Sequence, residues 1–143
     1  MYVASMDEKL RDLVVTSTKG VLVTLKRDGR PQLSNVSYKF TDGVIRVSVT
    51  DGRAKTKNLL RDPRASFYVT NDTFGRYAVA EGTATLSDVA TAPDDAAADE
   101  LVELYRSIAG EHPDWDEYRA AMVADGRRVV RIPVDRIYGL AMD

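Results

Sequence analysis

Cysteine is absent from this sequence of 143 residues, and histidine occurs once. Without cysteine there is no disulfide framework and no thiolate metal site. A single histidine excludes a histidine-rich zinc or iron site within one protomer. That residue, His112, lies between Glu111 and Pro113 and has no evident partner for a nucleophilic triad, so a structural role such as capping is expected of it. Charge of neither sign is in excess: 20 Lys and Arg stand against 22 Asp and Glu, a formal net charge of -2. A general nucleic-acid binder is normally basic overall, and no recognition motif is present, so no nucleic-acid partner is expected. No apolar run approaches the roughly 20 residues that span a bilayer. The first residues, Met1 to Asp7, carry charge where a signal peptide needs an apolar stretch. The expectation is a cytoplasmic protein without a membrane partner. The glycine-rich phosphate loop and the dinucleotide fingerprint are missing as well.

What is present is β-rich. Ser5 and Glu8 have the capping-box spacing, and the pattern predicts a helix over about Met6 to Val15, broken at Lys19 and Gly20. Strands are predicted over Val21–Leu25, Gln32–Phe40 and Val44–Thr50, with Asp28-Gly29 and Asp42-Gly43 as hairpin turns. A short helix covers Arg53–Arg61, closed by Asp62-Pro63. Strands follow over Ala65–Thr70 and Arg76–Leu86, with Gly82 a bulge or close approach. Two helices are predicted, from Ala92 to about Ala109 and from Asp114 onward. A last strand, Arg128–Ile132, is interrupted by Pro133 and resumes over Asp135–Tyr138. Residues 1–143 read as a single domain. Antiparallel strands joined by hairpins, with a returning strand, point to a small closed barrel, which removes exposed edges. An open antiparallel sheet with helices on one face is the alternative.

The near-neutral balance hides a split. Cations such as Lys26, Arg30, Arg46, Arg53, Lys55 and Lys57 crowd the β-rich half, while carboxylates crowd the helical pair. Cation density peaks where the strand ending at Thr50 meets the helix beginning near Arg53. Backbone N–H groups and the helix dipole favour an anion at such a junction. Arg53 and Lys55 would add charge, Thr50 and Thr56 hydroxyls, and Asn58 an amide. The same residues also suit an ordinary helix start. A second cluster, Gln32, Ser34 and Asn35, puts polar groups into a core strand. They either pair with neighbouring strands or hydrogen-bond the rim of a flat heterocycle. Trp115, Tyr118 and Met122 form a stripe suited to packing, or else to a substrate wall.

Gly29-Arg-Pro-Gln-Leu-Ser-Asn-Val36, Arg53-Ala-Lys-Thr-Lys-Asn-Leu59, Asp62-Pro-Arg-Ala65 and Ala78-Val-Ala-Glu-Gly82 resemble the pyridoxamine 5'-phosphate oxidase-like superfamily. Within it the likeness is to the actinobacterial oxidoreductases that depend on the deazaflavin coenzyme F420. The likeness extends through Leu104–Trp115 and Ile137-Tyr-Gly139. The resemblance implies an FMN-binding split β-barrel of about six to seven antiparallel strands with short helices. It also implies a homodimer with sites at the subunit interface. By the resemblance, Gln32, Ser34 and Asn35 line the ring system of the cofactor, and Ser48 and Thr50 lie beside its ribityl chain. Arg53, Ala54, Lys55, Thr56 and Asn58 hold its phosphate and the start of its anionic tail. Tyr77 reaches across the interface. One departure stands out: relatives carry an aromatic residue shortly before that tyrosine, where this chain has Asp72-Thr-Phe-Gly-Arg76, so Phe74 or Arg76 replaces it or the contact is lost.

The implied activity is hydride transfer from reduced F420 to a conjugated small-molecule substrate, with no side chain singled out as catalytic and no metal. The alternatives are an FMN-dependent or pyridoxamine 5'-phosphate oxidase-like enzyme, or a carrier that binds flavin or F420 without turnover.

Overall fold

The alternation of apolar and polar residues sets the strands, and short polar signals set the helix starts. In the computed structural model, which describes residues 5–141, α1 (Met6–Thr16) begins at the predicted box. The Glu8 backbone N–H donates to Ser5 Oγ at 3.1 Å. Leu10 and Val14 of α1 are buried. Lys19 and Gly20 open β1 (Lys19–Leu25) rather than lying between helix and strand. Gly20 is needed there because a Cβ would collide with the ring of Phe67 and the carbonyl of Tyr68. The remaining elements are β2 (Pro31–Ser37), β3 (Lys39–Thr41), β4 (Val44–Thr50), α2 (Ala54–Arg61), β5 (Arg64–Thr70) and β6 (Arg76–Thr83). Then come β7 (Thr85–Leu86), α3 (Ala96–Ala109), α4 (Trp115–Ala124) and β8 (Arg127–Ala141).

The sheet runs β2-β1-β5-β6-β8-β4-β3, with β7 paired to β8 off this path. Every pair is antiparallel. The two ends of the path, β2 and β3, are successive pieces of one run, so the sheet curls into a split barrel. The predicted single strand Gln32–Phe40 is thus corrected to two. It changes partner at Tyr38: Ser37 pairs with Lys19 of β1, whereas Lys39 pairs with Arg46 of β4. Tyr38 anchors that corner. It is fully buried, its N–H donates to Thr18 O at 2.8 Å, and its phenol donates to Val14 O at 2.5 Å. Burial pushes the phenol pKa well above its ordinary value.

The closing strand also differs from expectation. β8 is continuous through Pro133, because the strand changes partner there. Its first half pairs with β4 as far as Val44 opposite Pro133. Its second half pairs with β6 from Gly82 opposite Val134 onward. Proline lacks an N–H, and at the hand-over point none is needed. Gly82 carries the predicted bulge: the register shifts between Glu81 and Gly82, and a Cβ at Gly82 would collide with the Pro133 carbonyl. The predicted strand to Leu86 ends earlier, because the Ala84 N–H turns to Pro63 O at 2.7 Å and β7 joins the other half of β8. α3 starts four residues later than predicted. Asp95 caps it, accepting from the N–H groups of Ala98 and Thr91 at 2.8 Å each. Those bonds hold the Asp95 carboxyl below its ordinary range.

Two apolar clusters result. The barrel interior holds Leu22, Ile45, Val47, Phe67, Val69 and Ile132. The second lies where α3 and α4 cover the first half of β8, around Leu101, Leu104, Met122 and Val129. Val129 and Val130 point into different clusters, so this half of β8 is buried on both faces. Among the described residues no helix is long and apolar enough to cross a membrane.

Candidate functional site

β4 delivers the chain at Thr50, and α2 starts four residues later. Arg53 is the N-cap residue, in extended conformation, and its side chain makes no capping bond. The first turn of α2 has no acidic residue. The one nearby carboxylate in the turn, Asp51, is bonded by Arg128 at 2.9 Å. The first-turn N–H groups of α2 are therefore left for an acceptor from elsewhere.

The residues predicted to gather here separate into two groups. Thr56 is fully buried, and its hydroxyl donates to Thr50 O at 2.8 Å. Asn58 is buried too. Its Nδ2 donates to Thr24 Oγ1 at 3.2 Å, and its Oδ1 accepts from Arg61 at 3.3 Å. The chain of bonds continues: Thr24 donates to Gln32 Oε1 at 3.2 Å, and Gln32 Nε2 donates to Ser34 Oγ at 3.0 Å. Gln32 and Ser34 lie on the inward face of β2. Arg61 closes the far end on the Leu25 carbonyl. Every member of this ladder finds its partner inside the chain.

The other group is unpartnered. Lys55 is half-buried, and among the described residues it forms no ion pair. Its pKa is lowered, first by burial and then by the neighbouring Arg53 and Arg127. Arg127, the first residue of β8, pairs in register with Thr50. Its Nε is buried and, among the described residues, has no hydrogen-bond partner. Sequence reasoning missed this residue, because it began the strand at Arg128 and left Arg127 in a loop. The signal was there in an arginine pair opening a strand opposite the anion-site strand.

A cavity of about 500 Å³ lies beside this group. Asn35, Ser48, Lys55 and Arg127 line its polar side. Leu104, Tyr105, Ile108, Tyr118 and Met122, from α3 and α4, line the apolar side. Of the predicted residues the cavity unites Asn35, Ser48 and Lys55. Arg53 and Ala54 are exposed at the helix start, and Thr50 lies beneath them. Gln32 and Ser34 belong to the ladder. Tyr77 sits apart, its ring stacked on Tyr68 at 6.0 Å and 24°. Tyr68 and Asn35 border a second, shallower cavity of about 510 Å³ on the outer face of β1, β2 and β5. Phe74 projects from the turn, 78% exposed and with φ of 63°, and packs against neither cavity.

Behind the apolar wall, His112 accepts the Asp114 N–H on Nδ1 at 2.9 Å, a local cap. Its ring packs against Tyr105, Trp115 and Tyr118, with centroids 5.3 to 5.7 Å apart. Trp115 Nε1 donates to Glu111 at 2.9 Å, which holds that carboxyl below its ordinary range. Among the described residues no cluster of metal-ligating side chains occurs. The cavity presents cations, a hydroxyl and an amide, suited to binding and orienting rather than to nucleophilic attack.

The sequence profile of pyridoxamine 5'-phosphate oxidase matches residues 6–141. The chain belongs to that family. Its split barrel is shared with a solved F420 reductase, 22% identical, with a TM-score of 0.67 over 90% of this chain and 94% of that one. A conserved hypothetical protein of Mycobacterium tuberculosis is 28% identical, with a TM-score of 0.71 over 96% of this chain and 84% of that one. A heme storage protein of Vibrio cholerae has the same fold at 12% identity and a TM-score of 0.69, over 94% of each chain. Members of this fold family therefore serve several cofactors, and the fold alone does not choose between them.

Proposed function

We propose that this family member is an F420-dependent oxidoreductase that reduces a small conjugated acceptor and works as a homodimer. The observation that carries the reading is the uncapped start of α2, where among the described residues Arg53 and Lys55 stand without a carboxylate partner. These residues fit a phosphate-bearing cofactor with a further anionic tail. The helix start meets the phosphate with N–H groups, and two cations flank it. The tail of F420 gives the surplus cation a role that FMN does not require. The fold, shared with an F420 reductase along almost the whole of both chains, is compatible with this choice. A heme site has less to recommend it, since the sole histidine is engaged at Nδ1 and packed among three aromatic rings.

When bound, reduced deazaflavin supplies the hydride. The chain's own part is positional. Arg53 and Lys55 hold the anionic end, and Ser48 and Asn35 orient the portion that enters the cavity. The apolar wall of α3 and α4 excludes water from the acceptor's side. The homodimer is supported by the outer face of the barrel. Leu33, Tyr77, Tyr138 and Leu140 are all exposed there, at 60%, 37%, 41% and 41%. Register places Tyr77 beside Leu140, and Asn35, Val21, Tyr68, Val79 and Tyr138 form one row across five strands. Such a patch suits an association surface, and a second copy docked on it would meet Tyr77.

The test is a fluorescence titration of the purified protein with F420 and, in parallel, with FMN. Light scattering gives the oligomeric state. Saturable binding clearly tighter for F420, to a dimer, is the expected result. Tighter FMN binding would transfer the assignment to a flavin enzyme, and binding of neither would end it.

A further inference from the structure

The cavity under α3 and α4 is two-sided, and Lys55 and Arg127 make its cationic side. Three arginines lie in the first half of β8. Arg128 is bonded to Asp51 at 2.9 Å, and Arg131 donates its Nε to Glu100 at 2.8 Å. Among the described residues Arg127 has no such partner, and its Nε is buried in the cavity wall without an acceptor. A guanidinium N–H withdrawn from water and left unbonded is costly, so in native structures such a group asks for an acceptor the chain does not itself provide. Asp51 is engaged by Arg128, and Glu100 by Arg131. Across the cavity, Leu104, Ile108 and Met122 offer an apolar surface, with the rings of Tyr105 and Tyr118 beside them. Tyr118 contributes its face rather than its hydroxyl, which donates to Leu101 O at 3.1 Å. An oligoglutamyl tail does not match such a wall, whereas a flat apolar body does.

We infer that this cavity is the acceptor pocket, and that Arg127 selects acceptors carrying a carboxylate on a flat, apolar body. The carboxylate meets the planar fork of Arg127, while the body lies against the α3–α4 wall. The inference rests on the F420 reading only in calling the occupant an acceptor. The pocket's preference for a carboxylate is measurable without any cofactor.

The probes are 2-naphthoate and 2-naphthamide, which share one body and differ in charge. Both are titrated calorimetrically into the full chain without cofactor, and F420 is titrated separately. The wild-type protein is expected to bind the acid at least about tenfold more tightly than the amide. Arg127→Gln is expected to erase that preference, and Arg127→Lys, which guards against a simple folding defect, to retain part of it. Both variants are expected to bind F420 within about threefold of the wild type. Equal binding of acid and amide by the wild type overturns the inference. So does an Arg127→Gln variant that keeps the preference, or one that loses F420 affinity instead, since Arg127 would then be a cofactor ligand. A wild-type protein that prefers the acid but ignores F420 supports the carboxylate pocket and overturns the cofactor reading alone.

Discussion

Two polar groups lie side by side in this molecule and differ in their partners. The ladder from Arg61 through Asn58, Thr24 and Gln32 to Ser34 is complete within the chain. The group of Arg53, Lys55 and Arg127 is not: it brings like charges together and offers no acceptor. Both draw on α2, but the ladder is one arginine with two amides and two hydroxyls, whereas the open group is three cations. Their hydrogen bonds tell them apart. A polar group whose partners are in the chain holds the architecture, and one whose partners are not is open to a ligand.

The contrast is broken most directly by substitution on the open side. Replacing Arg53 and Lys55 together by alanine is expected to weaken F420 binding by roughly a hundredfold. The melting temperature should stay nearly unchanged, since neither side chain bonds within the chain. An intact affinity in a fluorescence titration would return α2 to the status of an ordinary helix.

On the closed side, Asn58→Ala is expected to cost about 2 kcal/mol in denaturant unfolding, because it removes the donor buried against Thr24 and the acceptor of Arg61. F420 affinity should be preserved. If that variant instead loses affinity as severely as the double variant, Asn58 is a ligand residue as the family resemblance implied, and the two groups are one site.

The smallest effect is in pH. Lys55 has a lowered pKa in the free protein, so its folded form gives up a proton more readily than its unfolded form. The cost of its charge is full at neutral pH and is relieved as pH rises from that lowered value toward the ordinary lysine value. Stability therefore gains slightly across this window. Affinity for an anion goes the other way and is expected to decline as Lys55 loses its charge, before ordinary lysines titrate. Titrations at stepped alkaline pH check this, and Lys55→Arg is expected to abolish the decline.

Much of the fold was legible because it rests on local rules. Ser5 with Glu8, Asp42-Gly43 between β3 and β4, and Asp62-Pro63 at the end of α2 each act over a few residues. The misplaced strand breaks share one cause. At Tyr38, Ala84 and Pro133 a strand changes partner, and a change of partner is a property of the assembled sheet. The site was legible to the same extent. The cations at the β4–α2 junction could be read from the sequence. It could not be seen that Thr56 and Asn58 turn inward, nor that Arg127 arrives from the far end of the chain to stand beside Thr50.

Strand β8 has a further consequence, for the order in which the molecule assembles. It bridges β4 and β6, both formed from much earlier sequence, and until it docks each of them presents an unsatisfied edge. Pairings so distant in sequence place folding in the slow range, on the order of milliseconds to seconds. The same docking step brings Arg127 to the cavity. The pocket and the barrel therefore mature together, and a chain stalled before that step would be without its charge-reading residue and prone to stick to its own kind.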